Sequence, residues 1–448
     1  MSCAVVQKPD RHLEFDYCED VVDIINDKAI INGKSQWTYE YSIDAYRQKY
    51  PERLRHNREF RTNRALIEFL QSPDTDMRKI INEISNGQVD EDDKVIVCCF
   101  KELELKKADA RAYAKMTPKM RLYQVCTEYN LGQKIFPYLE SMQSMTLSEM
   151  QLMNKLDRIN RPLSRQEQNE YAIITLDFSK LCLTMREELT DSIFKTVASI
   201  FGLSGVYTYN HMFPLDARFL FQDRYNPPRQ QENGEPFLGY RAFKGVESWL
   251  EGLRQKGWTL MLILIAADKM GCIAEQLGQG DNQTILLKLP SERVLARRGM
   301  RRHDFVNEFL NSLEAVCTDS GLLLKPEECW VSRILSEYSR RHHLHGMTVS
   351  AALKKVSKML SEPNVELSTT NGYLATVFDG GISVANEDYG PLCAFVVTHM
   401  VANIIIRQRW EWTNHCLAEE LAVLLCLNRD VGGLPIVTYL NFCVSVFE

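Results

Sequence analysis

Two apolar runs meet at a polar tip in "EQLGQGDNQTILLKL", Glu275 to Leu289, and this stretch constrains the fold more than any other in the chain. Gly280, Asp281 and Asn282 all tolerate turn geometry, and an Asx-Gly neighbourhood between apolar runs predicts a β-hairpin. The run after the tip, "TILLKL", has the β-branched and aliphatic content of a largely buried strand. The acid therefore belongs to the end of a sheet. Taken alone, such a tip is an ordinary turn, and the sharper reading, a carboxylate held out to bind a metal, needs support from elsewhere in the sequence.

That support begins with a second strand that ends in an acid. "YAIITLDFS" reads as a buried strand delivering Asp177 at its C-terminal end, and the helical spacing in "TMREELTDSIFKTVASIFGL" predicts a helix over 185–203. If the two strands are neighbours in one antiparallel sheet, Asp177 and Asp281 face one cleft. Paired carboxylates there can hold two divalent cations about 3.5–4 Å apart, clamping the attacking and leaving oxygens of an in-line phosphoryl displacement. This is the chemistry of nucleotidyl transfer. Oxygen ligands and a phosphate substrate favour Mg²⁺, with Mn²⁺ as the alternative.

At 448 residues and 51.8 kDa the chain exceeds what one core usually supports, so two or three lobes are expected. A net charge of −6 and a pI near 5.9 argue against a surface coated with basic charge, which leaves any nucleic-acid binding to a local groove. The 13 cysteines include no CxxC pair and read as reduced, buried thiols of an intracellular protein. No basic region followed by an apolar core opens the chain, so no secretory signal is expected. The runs "TLMLILIAA" and "PLCAFVVTHMVANIII" are shorter than, or interrupted within, the roughly 20 residues a spanning helix needs, which predicts a soluble protein without a membrane partner.

Between these landmarks, Gln222 to Tyr240, with Pro227-Pro228 and Asn233-Gly234, marks a surface loop. "GVESWLEGLRQKGWTLMLILIAADKM" reads as a glycine-punctuated turn in its first half and an apolar helix in its second. "SGLLLKPEECWVSRILSEYSR" predicts a strand with a helix, "MTVSAALKKVSKML" a further helix, and the portion from Pro391 a mostly apolar helical pattern. The fold class is α/β or α+β, with a central sheet and helices around it.

A dense basic segment, "KELELKKADARAYAKMTPKMRLYQVCTEY", supplies Lys101, Lys106, Arg111, Lys119 and Arg121, which either line an approach path for a triphosphate or form a solvated helix face. This segment, then "TLDFSK", then "GVESWLEGLRQKGWT", then "QGDNQ", in that order, resembles the polymerase motifs of the large (L) proteins of nonsegmented negative-strand RNA viruses, the Mononegavirales. "LEGLRQKGW" and "QGDNQ" are the most specific; the stretch before Asp177 and the region after Trp330 match more loosely. Resemblance covers roughly Lys101 to Asp388, and within the order "DFSKLC" and "KMTPKMRLYQV" lean toward bornavirus-like members.

The resemblance implies a right-hand RNA-directed RNA polymerase core. Residues 1–165 would be fingers and N-terminal region, 166–365 a palm with an antiparallel sheet flanked by helices, and 366–448 the palm edge and the start of a thumb. It implies Asp177 and Asp281 as metal-binding acids, with Asn282 beside the second in the "GDN" form of these viruses. Arg111, Lys119 and Arg121 resemble the fingertip positions that meet the incoming triphosphate. Glu251, Gly252, Arg254, Gln255 and Lys256 fall in the motif that positions template and selects ribose. RNA template, NTPs, a viral phosphoprotein cofactor and a nucleocapsid are the implied partners. The compartment is the host cytoplasm, or the nucleus for bornavirus-like members, and the virion as part of a viral polymerase.

Departures from the family pattern bear on activity and not on ancestry. Ser248-Trp249 stand where Gly-Gly usually precedes "LEGLRQK", Leu181-Cys182 stand where a Trp-Asn pair commonly ends the first acid's motif, and Leu103 replaces the first motif's usual Arg. Neither a capping His-Arg pair nor a glycine-rich methyl-donor loop is legible, and "RRHHLHG" reads as a surface turn or partner contact. The expectation is a polymerase core without accessory domains, either a viral fragment or a copy retained in a host. The alternative is a catalytically inactive module that binds RNA or a polymerase cofactor. Lys354 and Lys355 are only candidates for protonating the leaving pyrophosphate.

Overall fold

The computed structural model describes residues 12–20, 24, 29–31, 63–72, 74–100, 112–139, 142–164, 170–221, 237–247, 251–268, 273–359, 370–408, 419, 423, 427 and 434–447. The chain divides into two compact units: Met1–Ser148 with Asn169–Ser332, and Glu149–Gln168 with Arg333–Glu448.

The strands of the first unit are β1 (Ala29–Ile30), β2 (Asn63–Arg64), β3 (Val95–Phe100), β4 (Ala112–Met116), β5 (Tyr171–Leu176), β6 (Arg218–Phe221), β7 (Ala242–Lys244), β8 (Ile273–Gln279), β9 (Asn282–Lys288) and β10 (Trp330–Ser332). They form two sheets. A six-stranded mixed sheet runs in the order β2-β1-β4-β3-β6-β7, and a four-stranded antiparallel sheet runs β10-β5-β9-β8. Helices α1 (Met77–Ser85), α2 (Pro118–Asn130), α4 (Glu187–Ile200), α5 (Glu251–Asp268) and α6 (Arg302–Asp319) belong to this unit, and α3 (Glu149–Ser164) to the other. The described architecture is a mixed α+β fold, as the alternation of strand and helix patterns predicts.

The four-stranded sheet is held by burial on the face that carries Ile174, Leu176, Ile285 and Leu287. These pack with Trp258, Met261 and Leu262 of α5 and with Phe305, Leu313 and Cys317 of α6 in one apolar cluster. Fully burying each such side chain contributes about 1.5–3 kcal/mol, so this cluster fixes the register of β5 against β9. The helix after β5, predicted over 185–203, is Glu187–Ile200, with Glu187 and Glu188 in its first turn where they complement the helix dipole.

The start of α5 departs from expectation. "LEGLRQKG" is helical from Glu251, where a glycine-punctuated turn is expected from the sequence. Gly257 explains how the helix tolerates its glycines: a Cβ there would run into the Phe194 ring of α4, so the missing side chain permits close packing of two helices. The polar loop of residues 222–236 and the pair Ser248-Trp249 lie outside the described residues.

In the second unit, strands β11 (Leu335–Tyr338), β12 (Arg341–Leu344) and β13 (Met347–Val349) form an antiparallel meander, followed by α7 (Ala352–Lys358), α8 (Thr370–Val384), α9 (Pro391–Gln408) and α10 (Tyr439–Phe447). The stretch "SGLLLKPEECWVSRILSEYSR", where a strand with a helix is expected, instead carries two strands, β10 and β11, and no helix. The reason lies in the turns: Ser339-Arg340 and His345-Gly346 each take positive φ at both positions (50° and 68°, 50° and 78°), the conformation of a two-residue hairpin turn. "RRHHLHG" thus spans two turns and a strand. His343 within it is fully buried, and burial lowers its pKa.

Helix α9 is continuous over 18 residues with mean hydropathy 1.3, long and apolar enough to cross a membrane by length and composition, where an interrupted run is expected. Its Ala394, Thr398, Ala402 and Ile406, spaced by four, are buried. Thr398 lies against Gly381 of α8, where a Cβ would collide with its hydroxyl. The eight cysteines whose side chains are described are free thiols, four of them fully buried (Cys18, Cys98, Cys126 and Cys317 at 0–2% exposure), while Cys393 is exposed.

Candidate active site

The "QGDNQ" stretch forms a tight hairpin tip. Gln279 pairs with Asn282, which leaves Gly280 and Asp281 as the two turn residues, and Gly280 takes φ +58°, a left-handed conformation that glycine adopts without steric cost. The Gly280 N–H donates to Thr259 Oγ1 of α5 at 2.8 Å, and Gln283 Nε2 donates to the Gly280 carbonyl at 3.2 Å. Asn282 Nδ2 donates to Asp281 Oδ1 at 3.1 Å. On the outer side, the N–H of Gly278 donates to Met142 O, and the N–H of Ser144 to Gly278 O, so the 142–144 segment covers the edge of β8.

Asp177 follows the last residue of β5. Leu176 pairs with Gln283 of β9, so the antiparallel register brings Asp177 to the sheet end that carries the hairpin tip. The chain returning after α6 clasps this position. Lys325 N–H donates to the Asp177 carbonyl at 2.9 Å, and Cys329 Sγ accepts from Asp177 N–H and donates to its carbonyl at 3.4 and 3.3 Å. Phe178 N–H donates to Asp177 Oδ1 at 2.9 Å. That returning chain then enters β10, which pairs with β5 through Trp330 and Thr175.

Three carboxylates gather here. Burial pushes the Asp177 carboxyl up to about 7, helped by a hydrogen bond with Glu328 and by the charges of Asp281 and Glu328, against a smaller lowering by the Phe178 N–H. Lys325 pairs its amine with Glu328. A carboxylate held up by negative neighbours gains from a divalent cation, since the cation's charge reverses the repulsion. The donor set is hard oxygen, which suits Mg²⁺. Among the described residues no group of three or more His, Cys, Asp or Glu side chains is placed to hold a metal ion, so Asp177, Asp281 and Glu328 do not form a three-ligand site. Mg²⁺ bound through one or two carboxylates, with water and substrate phosphate completing its shell, does not need one.

The other sequence-predicted site residues lie as follows. Lys119 of α2 pairs its amine with Glu83 Oε2 of α1 at 2.9 Å, and Arg121 is buried within α2 at 5% exposure. Glu251, Gly252 and Arg254 are on the first turn of α5. Gln255 lies against the hairpin tip: a Cβ built at Gly280 would meet its Nε2 at 2.5 Å. Lys256 donates to the Glu128 carbonyl of α2 at 3.0 Å. Arg111, like Lys101, Lys106 and Leu103, lies outside the described residues. In the second unit Lys355 pairs with Glu387 Oε1 at 2.6 Å, and Lys354 is exposed.

Sequence reading passed over Lys325, Glu328 and Thr259. The first two sit in "KPEE", where Lys-Pro breaks the chain and an acid pair precedes a strand, and this was the available signal. Thr259 carries no local signal, because a threonine inside an apolar helix reads as filler.

An antiparallel sheet that gathers acids at one end, backed by helices, defines an α+β protein with a carboxylate-lined centre. The chain matches the family "Mononegavirales RNA dependent RNA polymerase" over residues 8–422, and it belongs to that family. It is 29% identical over 343 residues to the RNA-directed RNA polymerase L of Lettuce necrotic yellows virus, covering 72% of this chain and 16% of that protein. It is 27% identical over 407 residues to the RNA-directed RNA polymerase L of Taro vein chlorosis virus, covering 87% and 20%. With the RNA-directed RNA polymerase L of Newcastle disease virus it shares 26% identity over 389 residues, covering 78% and 17%. The matched region thus spans a fifth or less of the length of these relatives.

Proposed function

We propose that the chain is the catalytic core of an RNA-directed RNA polymerase, transferring nucleotides from NTP to RNA on a template in viral transcription and genome replication. The observation that carries this reading is the meeting of Asp177 and Asp281 at one end of the β5-β9-β8 sheet, inside a family of viral polymerases.

In this reading the 3′-hydroxyl gives up its proton to solvent and attacks the NTP α-phosphate, the bond to the bridging oxygen breaks, and pyrophosphate leaves. Bound Mg²⁺, held by Asp177 and Asp281, would act as Lewis acid and lower the pKa of the attacking hydroxyl. Asp281 stands on a turn locked by Thr259 and Gln283. Asp177 stands on a strand end clasped by Lys325 and Cys329. Both carboxylates are thus held before substrate arrives, which avoids reorganisation during the reaction. Arg111 and Lys119 would neutralise the triphosphate, Lys119 by exchanging Glu83 for phosphate, whereas Arg121 is buried within α2. Residues 251–256 on α5 would position template and ribose. The sheet carrying the two acids would be the palm within residues 166–365, with fingers over 1–165 and the start of a thumb over 366–448. A viral phosphoprotein and a nucleocapsid template are the proposed partners.

The test is incorporation of labelled NTP on a short primed RNA by the purified chain with Mg²⁺, alongside Asp281→Asn and Asp177→Ala. Incorporation that vanishes in both variants while they stay folded supports the reading. Silence in the parent, folded and still binding RNA, with no rescue by a matching phosphoprotein, points to an inactive binding module.

A further inference from the structure

The face that α5 presents to the hairpin tip does more than close the core. Thr259 is fully buried, and its hydroxyl takes the buried N–H of Gly280 at 2.8 Å. One helical turn earlier, Gln255 occupies the space beside the Gly280 Cα, with Nε2 where a Cβ would need to be, at 2.5 Å. Gln283, itself 2% exposed, holds the Gly280 carbonyl from the strand side. The backbone of Gly280 is therefore bonded at both its N–H and its carbonyl, and its Cα is covered. Asp281 is the next residue.

We infer that Gln255 and Thr259, four residues apart on one face of α5, are positioning residues for Asp281, acting through Gly280. The inference rests on the reading of Asp281 as a metal-holding acid and gives Gln255 a role at the hairpin as well as at the template. The physical basis is local. An unmade hydrogen bond at a buried N–H is costly, so Thr259 fixes the turn in the conformation that presents Asp281. The glutamine amide packed on Gly280 would have to move aside to admit a side chain there, and the left-handed φ of +58° strains any residue but glycine at this position. Groups that orient a metal-holding residue from behind typically change metal affinity about 10- to 100-fold when removed.

Thr259→Val keeps the volume of the buried side chain and removes only the acceptor, and Thr259→Ser keeps the acceptor. Two readouts are taken on the full chain: hydrogen exchange of the segment spanning Leu277 to Thr284, and Mn²⁺ affinity by electron paramagnetic resonance, with Asp281→Asn as reference. Thr259→Val is expected to speed exchange at the tip and to weaken Mn²⁺ binding about 10- to 100-fold, while Thr259→Ser retains the parent's values. Gly280→Ala should weaken binding too, and Gln255→Ala in the same chain should recover part of the loss, because it removes the obstructing amide. If Thr259→Val binds Mn²⁺ as the parent does while Asp281→Asn has lost it, the positioning role is overturned and the polymerase reading stands. If Asp281→Asn itself binds Mn²⁺ like the parent, the metal reading falls and the positioning role falls with it, whatever happens to exchange at the tip.

Discussion

Leu176 and Gln283 stand opposite each other as the last antiparallel pair of β5 and β9, and this one pairing brings Asp177 and Asp281 to the same end of a sheet. The apolar residues behind the pair make the juxtaposition stable, since a slip of one residue would turn Ile174, Leu176, Ile285 and Leu287 out of their cluster. The site is thus a by-product of register, and register is set by the core.

The juxtaposition has a pH signature. Folding raises the Asp177 pKa from an ordinary value of about 3.9 to about 7, chiefly by burial. Between those values the folded chain binds a proton that the unfolded chain has released, so the Asp177 contribution to stability falls as pH rises through this window. Asp177→Asn, which carries no charge to bury, should therefore melt higher than the parent at pH 8, with the two converging near pH 4. Saturating Mg²⁺ should narrow the gap at pH 8. A constant gap across the range, measured by thermal melts, would contradict this.

Helix propensity and packing give opposite signs at Gly257. Alanine is favoured over glycine inside a helix by about 0.8–1 kcal/mol, yet a Cβ at Gly257 would run into the Phe194 ring. Overpacking of this kind costs about 1–3 kcal/mol, so Gly257→Ala should be net destabilising. Denaturant midpoints check it, and adding Phe194→Leu should turn the same substitution neutral or favourable.

Trp258 is fully buried between α5 and the sheet, among residues of the cluster that fixes β5 against β9. Trp258→Ala should cost about 3–5 kcal/mol. Nucleotide incorporation should fall even at temperatures where the variant remains folded, because the register that joins the acids loses support. Unfolding curves and incorporation rates on the same preparation separate the two effects.

The elements legible in the sequence are those that carry their own periodicity. "YAIITL" and "NQTILLK" are short apolar runs bounded by turn chemistry, and both are strands that end at the acids. The tip was legible because Gly and Asp are turn residues for stated reasons. The start of α5 was not, since Gly252 and Gly257 read as punctuation until Phe194 supplies a reason for one of them. Glu328 was hidden for a different cause. Its approach to Asp177 depends on how the chain returns after α6, which no local pattern encodes. The basic segment reads either as an approach path or as a solvated helix face, and the different surroundings of its residues, Lys119 paired with Glu83 and Arg121 buried, are not legible, because a helix distributes neighbouring residues around its axis.

The central claim is that Asp177 and Asp281 hold a divalent cation between them. Replacing Mg²⁺ with Fe²⁺ in the presence of ascorbate and peroxide generates hydroxyl radicals at the bound ion, which cut the nearby backbone. Cleavage at two separated places, next to Asp177 and next to Asp281, suppressed by excess Mg²⁺ and lost in Asp281→Asn, is the predicted result. Cleavage at one of the two places only, or a pattern unchanged by Asp281→Asn, would contradict it.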